Sequence, residues 1–430
     1  MILKDGAQSL RRCLESVCGL VDRIVIGDTG STDDSVAIAR SFGAEVITVP
    51  WERDFAWARN QVLCHSRCDW ILVLDADEML DDDARQAFLE ALERKDVFAY
   101  DVWRWNYVLE TNSRSGEQGA IANPYRVEAS RPYPAYVQSL NTRLFRRHAE
   151  IYFERPVHET VSLRVESLGL LKAIAPFVIH HFGQAEDSHE IRKAKNELYQ
   201  QIGKEHLQSK PKDARTCFEL GLGELEHYRR PEAALGYFEE ALRLNPQDAA
   251  SCLFAGVCLL RLRRFTEALV YLTRSESLDS KSIVLHEAIG DAHFHQADYN
   301  KAGAAYACAR ALGGVSALIE AKQGACEVYL GQKEQGMKRV LQALEREPDF
   351  PELYGVASAT ALLAGKVEMA AEIAAKKLEM EKAVAFDFAL AAVLSKSAGN
   401  AARGLAFLER GLTLFPGDQD LQEAMLQECW

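Results

Sequence analysis

The chain has 430 residues, of which 48% are apolar and 26% are charged, and its formal net charge is −13. This length accommodates roughly two or three ordinary domains. A net negative charge of this size argues against broad nucleic-acid binding and against binding to an anionic membrane through a polybasic patch. It does not exclude local binding of an anionic nucleotide, because a metal ion can neutralise the phosphates.

The sequence lacks the usual signals for a membrane or a secreted location. No apolar run approaches the ~20 residues that a spanning helix needs, and the N-terminus has no signal-peptide core. The ten cysteines are scattered without the spacing of a disulfide framework, which is typical of a reducing compartment. We therefore expect a soluble cytoplasmic protein without a transmembrane segment.

The N-terminal part of the chain, to about residue 170, alternates short β-rich runs with amphipathic stretches. In the first of these stretches, four apolar residues share one helical face. This alternation predicts right-handed crossovers and a mostly parallel sheet, with ligands beyond the carboxyl ends of the strands. The apolar helical face consists of Leu10, Cys13, Leu14 and Val17. The candidate strands are Met1–Leu3, Arg23–Gly27, Glu45–Val49 and Trp70–Leu74.

The C-terminal part repeats with a period of 34 residues and contains no convincing strand. Six blocks from Arg215 to Asp418 align without an insertion or deletion. A shared glycine predicts a close crossing of two helices, and a shared proline predicts the end of the second helix. The pattern resembles the tetratricopeptide repeat and predicts an all-α solenoid. The shared glycines and prolines are Gly256, Gly290 and Gly324, and Pro246, Pro348 and Pro416.

The sharpest chemical feature is an apolar run that leads into Asp75-Ala76-Asp77-Glu78. On an extended chain, positions i and i+2 project from the same face, so Asp75 and Asp77 would converge. Two carboxylates suit one hard cation, and such a cation can bridge a diphosphate leaving group. The alternative is a pair of solvated acids that opens a turn.

Two further clusters follow earlier elements. Asp28 ends a strand and precedes Gly30-Ser31-Thr32-Asp33, a loop in which an acid can contact a ribose or base while the hydroxyls cap the next helix. Arg59 and Asn60 lie on a predicted helix that leads towards the acidic strand, where an arginine suits a diphosphate. An aromatic-rich helix start explains the second cluster equally well when it is taken alone.

Together these clusters resemble the family 2 glycosyltransferases, in particular the branch that includes the sublancin-type peptide S-glycosyltransferases and many enzymes fused to tetratricopeptide repeats. The resemblance extends from Met1 to about Gly183, with the motifs in the order of the family. Later motifs that contribute to it are Arg143-Leu144-Phe145-Arg146, Val157-His158-Glu159 and His181-Phe182-Gly183.

The resemblance implies a GT-A fold, which is a Rossmann-like α/β domain, acting on a nucleoside-diphosphate sugar. The donor would most often be a UDP-sugar, bound with Mn²⁺ or Mg²⁺. Asp28 and Asp33 would hold the nucleoside, and Arg59 would support the phosphates with Asn60 beside it. Asp75 and Asp77 would hold the metal and the diphosphate.

The resemblance also suggests the groups that act on the acceptor. Inversion at the anomeric carbon needs a base that deprotonates an acceptor hydroxyl or thiol. Glu159 and His158 are the candidates, and Glu159 is preferred. His181 is a candidate for a further metal ligand, because imidazole completes many such sites. A purely structural role for either histidine stays open.

The first strand and its loop depart from the family pattern. The loop has Lys4-Asp5-Gly6 where the family has Lys-Asn-Glu, so the acid has moved one place to Asp5 and its nucleoside contact would be weakened or lost. Only Met1–Leu3 remain for the first strand, against the usual ~5–6 residues. Either the sheet accommodates a short strand, or further residues precede it.

We therefore expect a transferase domain at 1–185, a connecting helix and linker at 186–214, six repeats at 215–418 and a capping segment at 419–430. The preferred function is sugar transfer to a protein or peptide acceptor that the repeats recruit. The alternatives are the assembly of a surface polysaccharide or glycolipid, and a non-catalytic scaffold whose transferase domain has decayed.

Overall fold

The computed structural model describes residues 1–81, 83–110, 114–115, 118–313, 316–380 and 383–426. The chain divides into two compact units, Met1–Tyr228 and Arg229–Trp430. All of the β-structure in the described residues belongs to the first unit, and the second unit is helical. The first unit thus extends past residue 185, the predicted end of the transferase domain, and the predicted boundaries themselves stay a prediction.

The first unit begins with a parallel three-stranded sheet in the order β1-β2-β3. As predicted, helices separate the strands, and α1 buries the four apolar residues of its predicted face. The parallel pairing brings the carboxyl ends of β1 and β2 together, where Leu3 lies opposite Asp28. The elements are β1 (Ile2–Leu3), α1 (Ala7–Val17), β2 (Val25–Asp28), α2 (Ser35–Ser41), β3 (Glu45–Thr48) and α3 (Phe55–Leu63).

A second, mixed sheet follows, in the order β4-β10-β6-β11-β5, with β9 beside β10. Its elements are β4 (Trp70–Leu72), β5 (Glu78–Met79), α4 (Ala84–Glu93), β6 (Ala99–Val108), β7 (Arg114–Ser115), β8 (Gln118–Gly119), β9 (Ile121–Ala122), β10 (Ala135–Arg146), α5 (Ser162–Ser167) and β11 (Lys172–His181).

The expectation of a mostly parallel sheet needs correction here. Among the pairs of this second sheet, only β6 with β11 is parallel, and β10 runs antiparallel to both β4 and β6. The physical reason is that the described residues between β6 and β10 form short strands and a single 3-10 turn (Glu128–Ser130), without the α-helix of a parallel crossover. The strand Trp70–Leu72 therefore joins an antiparallel neighbour although its sequence resembles that of a parallel strand.

A cavity of about 300 Å³ is lined by Met1 and by residues of β2, β4 and the adjacent helices. The α-amino group of Met1 donates a hydrogen bond to the carbonyl of Val25 (3.1 Å). Burial lowers the pKa of this amino group to about 5. The short β1 therefore pairs with β2 through two residues, and this is enough to place the following loop against the loop after β2.

Three helices complete the first unit: α6 (Gly183–Glu186), α7 (His189–Ser209) and α8 (Ala214–Glu226). The helix α7 packs on the sheet-containing part of the unit. The ring of Tyr199 contacts that of Phe55, with 5.6 Å between centroids, and Arg53 forms an ion pair with Glu205 (3.1 Å). The segment predicted to connect two domains is thus part of the first unit.

The second unit consists of helices that pair as the repeats predict. Each predicted glycine lies at a close crossing: an added Cβ at Gly256 would be 2.6 Å from Leu272, and one at Gly290 would be 2.4 Å from Tyr306. No described helix in the chain is long and apolar enough to cross a membrane. The helices are α9 (Pro231–Leu244), α10 (Ala249–Arg261), α11 (Phe265–Leu278), α12 (Ile283–His295), α13 (Tyr299–Ala311), α14 (Ala317–Tyr329), α15 (Lys333–Arg346), α16 (Pro351–Leu363), α17 (Val367–Lys377), α18 (Ala385–Ser397), α19 (Ala401–Leu414) and α20 (Gln419–Leu426).

The helix α20 lies where the sequence predicts a capping segment. Its Leu421 is fully buried and belongs to the same apolar cluster as Phe388 and Leu408. The predicted segment extends to residue 430, and its residues 427–430 lie outside the described residues. Between 419 and 426, the chain covers the apolar end of the helical stack.

Candidate active site

The acidic motif lies in a turn just after β4. The amide of Glu78 donates to the carbonyl of Asp75 (3.1 Å), which closes the turn. Asp75 faces two arginines, whereas Asp77 faces His181. The two predicted metal ligands are therefore close in sequence but have different partners.

Asp75 is held by the guanidinium groups of Arg59 (2.7 Å) and Arg143 (3.2 Å). Burial alone would raise the pKa of Asp75, but the two arginines hold it well below its usual range. Asp75 therefore stays ionised, and its carboxylate is oriented by charge-assisted hydrogen bonds. Sequence analysis did not assign a role to Arg143, although the Arg-x-Phe-Arg motif already marked its position.

Glu78 is a second residue to which sequence analysis gave no role. Its side chain is fully buried, and it accepts hydrogen bonds from the amide of Asp75 (2.9 Å), from Arg143 (2.9 Å) and from Arg104 (3.2 Å). A buried carboxylate is tolerated only when it is paired in this way. Glu78 thus fixes the turn that carries Asp75 and Asp77. Its position directly after Asp77 is the feature of the sequence that could have indicated this role.

The carboxylate of Asp77 lies 3.4 Å from Nε2 of His181. Nδ1 of His181 lies 2.8 Å from Oδ1 of Asn106. The orientation of the Asn106 amide is set by the carbonyl of Val137, which accepts from its Nδ2 (2.9 Å). Since Oδ1 of Asn106 can only accept, Nδ1 of His181 carries a proton, and Nε2 is the ring nitrogen that faces Asp77.

An imidazole nitrogen and a carboxylate that face each other suit a shared cation, which would take the place of a proton on Nε2. Burial would raise the pKa of Asp77, but His181 holds it below the ordinary value, so the carboxylate is ionised. No group of three or more His, Cys, Asp and Glu residues in the described part of the chain forms a site for an ion. Asp77 and His181 could therefore hold Mn²⁺ or Mg²⁺ only with further oxygen ligands, such as phosphate or water.

Gly183 keeps the space between Asp77 and His181 open. A Cβ at this position would lie 2.0 Å from Oδ2 of Asp77 and 3.1 Å from Nε2 of His181. Any larger residue would therefore displace the carboxylate. This close approach explains the glycine of the His181-Phe182-Gly183 motif, because it leaves Asp77 and His181 free to face each other.

The loops after β1 and β2 are bound to each other at the same edge. Oδ1 of Asp5 accepts from the amide of Thr32 (2.7 Å), and Oδ2 of Asp33 accepts from the amide of Ala7 (3.0 Å). Oδ1 of Asp28 accepts from the amide of Ser31 (3.0 Å). These acids order the predicted nucleoside site, and their direct contact with a nucleoside stays a prediction.

Hydrogen bonds also account for the ionisation of two of these acids. The backbone amide of Thr32 is the largest cause that lowers the pKa of Asp5. For Asp33, burial acts in the opposite direction, but hydrogen bonds from Ser35 and Ala7 lower the pKa below its ordinary value. The departure at Lys4-Asp5-Gly6 is thus accommodated, because Asp5 bridges the two loops.

Arg59 and Asn60 lie side by side on α3 but serve different parts of the site. Arg59 is buried and bridges Asp75 and Glu159, with 2.5 Å between its Nε and Oε1 of Glu159. Asn60 exchanges two hydrogen bonds with the backbone of Phe153 (2.9 and 2.8 Å). Asn60 therefore positions the segment that leads to Glu159, and its predicted contact with the donor stays a prediction.

The two candidate bases differ in exposure. The side chain of Glu159 is 14% exposed, and its ion pair with Arg59 orients it towards the site. His158 is exposed and adopts a positive φ of 53°, with its ring 6.1 Å from that of Tyr199. A positive φ at a residue other than glycine is uncommon and costs backbone strain. The geometry gives Glu159 the more fixed position.

Comparison with known proteins bears on the family of the N-terminal part. Residues 1–152 match the family described as glycosyl transferase family 2. A tetratricopeptide repeat-containing protein of Synechococcus elongatus is 32% identical over 259 residues, which are 58% of this chain and 57% of the relative. The prophage-derived glycosyltransferase SunS of Bacillus subtilis is 23% identical over 280 residues, which are 63% of this chain and 60% of the relative.

The chain thus spans 57% to 60% of the length of these curated relatives. Among solved structures, a tetratricopeptide repeat protein from Parabacteroides merdae matches with a TM-score of 0.47 and 12% identity, over 55% of this chain and 93% of that one. The family match covers β1 to β10 and therefore includes the acidic turn, Arg59 and Arg143. The N-terminal part of this chain, residues 1–152, is a domain of glycosyl transferase family 2.

Proposed function

We propose that the chain is a metal-dependent, inverting glycosyltransferase of the cytoplasm. It would move a sugar from a nucleoside-diphosphate donor, with a UDP-sugar preferred, to a protein or peptide acceptor. The observation that carries this proposal is the Asp77–His181 pair, in which Asn106 fixes the imidazole and Gly183 leaves room for an ion. The family match of residues 1–152 supports the class of reaction.

The donor would lie across the carboxyl edge of the first sheet. Asp28 would meet the ribose or base, with Asp5 and Asp33 ordering the loop around it. Asp77 and His181 would hold Mn²⁺ or Mg²⁺, which neutralises the diphosphate and stabilises it as a leaving group. Asp75 is already paired with two arginines, so we assign it to orienting the site rather than to the metal alone.

The chemical step would be a single displacement at the anomeric carbon. The acceptor oxygen or sulfur forms a bond to that carbon while the bond from carbon to the phosphate oxygen breaks. The electron pair leaves with the nucleoside diphosphate, and the acceptor proton passes to the base. We assign the base to Glu159, whose Oε1 is held by Arg59 while Oε2 has no hydrogen bond to another described residue.

The helical repeats would recruit the acceptor. Stacked helix pairs offer an extended surface that suits a peptide or a protein segment. Linking such a surface to a catalytic domain raises the effective concentration of the acceptor. This part of the proposal rests on the helical second unit and on the repeat-containing relative.

Release of nucleoside diphosphate from UDP-, GDP- and TDP-sugars tests the donor half. With Mn²⁺, the wild-type chain should hydrolyse one donor slowly, and Asp77→Asn should abolish this release. Asp22→Asn is the matched control, because Asp22 is an exposed acid that precedes the opposite end of β2. Equal release by wild type and Asp77→Asn would contradict the proposed site.

Transfer of a radiolabelled sugar in a cell lysate tests the acceptor half. A protein acceptor predicts label in a gel band that a protease destroys and that organic solvent does not extract. Label in solvent-extracted lipid would show that the acceptor is a glycolipid precursor rather than a protein. Label in protease-resistant polymer would show that it is a polysaccharide. Glu159→Gln should lose transfer while it keeps donor binding, and His158→Gln should keep both.

A further inference from the structure

The helix α7, which lies outside the family match, presents two polar side chains to the candidate site. Lys195 and Tyr199 are four residues apart and therefore share one face of the helix. The ring of Tyr199 packs near Phe55 (5.6 Å) and His158 (6.1 Å), and this packing fixes its place beside the site. Sequence analysis assigned this helix only to connecting two domains.

The hydroxyl of Tyr199 has no hydrogen-bond partner among the residues that the structure describes. Burial raises the pKa of Tyr199 to about 12, and the charges of Glu159, Asp75 and Asp77 contribute in that order. The phenol therefore stays protonated and can donate a hydrogen bond. Because its ring packs near His158, which directly precedes Glu159 in the chain, the phenol lies on the side of the site that carries the candidate base.

Lys195 provides a positive charge at the edge of the same site. Its Nζ lies 2.6 Å from Oδ2 of Asp187, and its side chain is 46% exposed. The backbone amide of Asp187 in turn donates to the carbonyl of Gly183 (2.9 Å), the residue that faces the carboxylate of Asp77. Lys195 is therefore close enough to act on an anion bound at Asp77, and its flexible chain leaves it free to move towards one.

The other cations of the site are already paired with acids. Arg59 binds Asp75 and Glu159, and Arg143 binds Asp75 and Glu78. A diphosphate would need further donors, because its oxygens lose water when they enter the site. In the described part of the site, the hydroxyl of Tyr199 is a hydrogen-bond donor without an acceptor. Among the described residues, the half-exposed ammonium group of Lys195 is paired only with Asp187.

We propose that Lys195 and Tyr199 bind the β-phosphate of the donor, Lys195 by ion pairing and Tyr199 by a hydrogen bond to a phosphate oxygen. This inference rests on the proposed function, since it takes the ligand to be a nucleoside diphosphate. The β-phosphate is chosen because it carries the leaving oxygen, whose developing charge a bound metal ion would neutralise. As the bond to the sugar breaks, this oxygen gains charge, so donors aimed at it favour the transition state.

Calorimetric titration of the full chain with UDP and with UMP, each with Mn²⁺, tests the inference. Lys195→Gln and Tyr199→Phe should each weaken UDP binding about tenfold, which is typical for one lost hydrogen bond to a charged group. UMP binding should stay unchanged, because UMP lacks the β-phosphate. The matched controls are Lys193→Gln, an exposed lysine of α7, and Tyr152→Phe, an exposed tyrosine.

The possible results separate the two proposals. If UDP binds wild type and both variants equally, or if UDP and UMP are weakened equally, the β-phosphate assignment is overturned while the donor site stands. If wild type binds none of UDP, GDP and TDP, the proposed function and this inference both fail. The melting temperature of each variant is measured as a control. A value within a few degrees of wild type shows that a loss of binding does not result from unfolding.

Discussion

Gly183→Ala tests the geometry of the proposed metal site most sharply. The added Cβ would lie 2.0 Å from Oδ2 of Asp77, whereas ordinary contacts of a Cβ begin at 3.4 Å. The carboxylate would have to retreat by about 1.4 Å, the difference between these distances. Metal–ligand distances tolerate only about 0.2 Å, so Asp77 could no longer bind an ion together with His181.

The expected loss follows from this displacement. Disturbing the orientation of a metal ligand typically costs about 10- to 100-fold in affinity or activity, which is about 1.4–2.8 kcal/mol. The fold itself should not suffer, because alanine is the better helix former by up to ~1 kcal/mol and Gly183 begins α6. Binding of UDP with Mn²⁺ should therefore weaken while the melting temperature changes by only a few degrees.

A matched control is available in the second unit. Gly236→Ala makes the same change in the helix α9, and no atom lies within 4 Å of the added Cβ. This variant should bind UDP and Mn²⁺ as wild type does. If Gly183→Ala also binds them within about twofold of wild type, then Asp77 and His181 do not hold the metal together, and the reasoning from the glycine is refuted.

Three further predictions concern single side chains. Asn106→Ala should weaken Mn²⁺-dependent UDP binding about 10- to 100-fold in calorimetry, because His181 loses the partner that fixes its Nδ1 proton. Recovery of binding in Asn106→Asp would confirm that residue 106 acts as the hydrogen-bond acceptor for His181. Gly290→Ala should cost about 1–3 kcal/mol in urea unfolding, because its Cβ would lie 2.4 Å from the ring of Tyr306; Gly355→Ala, which meets open space, should cost far less. Lys322→Met should cost about 1–3 kcal/mol, because the partly exposed Asp291 and the buried Glu287 lose their ion pair with the ammonium group. Burial alone would lower the pKa of Lys322, but these carboxylates raise it above its ordinary value. The stabilisation by this ion pair should therefore be complete below about pH 10 and be lost as the pH rises through the raised pKa. An alkaline unfolding profile of Lys322→Met that equals that of wild type would contradict this.

Features that depend on local pattern were predictable from the sequence. The apolar face of α1 is buried as its periodicity indicates, and the strand ends that carry Asp28 and Asp75 lie near the predicted positions. The glycines at 34-residue spacing lie at helix crossings, because only a residue without a side chain fits there. These features follow from periodicity and sterics, which a single sequence records.

Features that depend on distant partners were not predictable in this way. The antiparallel pairing of β4 with β10 joins segments about 70 residues apart, and no local signal distinguishes it from parallel pairing. The amphipathic pattern of α7 shows that it packs, but not that Tyr199 packs near Phe55 and His158. Likewise, no local signal shows that Asn60 exchanges two hydrogen bonds with the backbone of Phe153, and its predicted contact with the donor stays a prediction.

The most direct test of the proposed function is the binding of UDP, GDP and TDP to the wild-type chain with Mn²⁺ and again with EDTA. The geometry of Asp77, His181 and Gly183 predicts that one nucleoside diphosphate binds with the metal, and that EDTA or Asp77→Asn removes this binding. Binding that is unaffected by EDTA and by Asp77→Asn would contradict the proposed metal site. Absence of binding to all three nucleotides would contradict the transferase function of this chain.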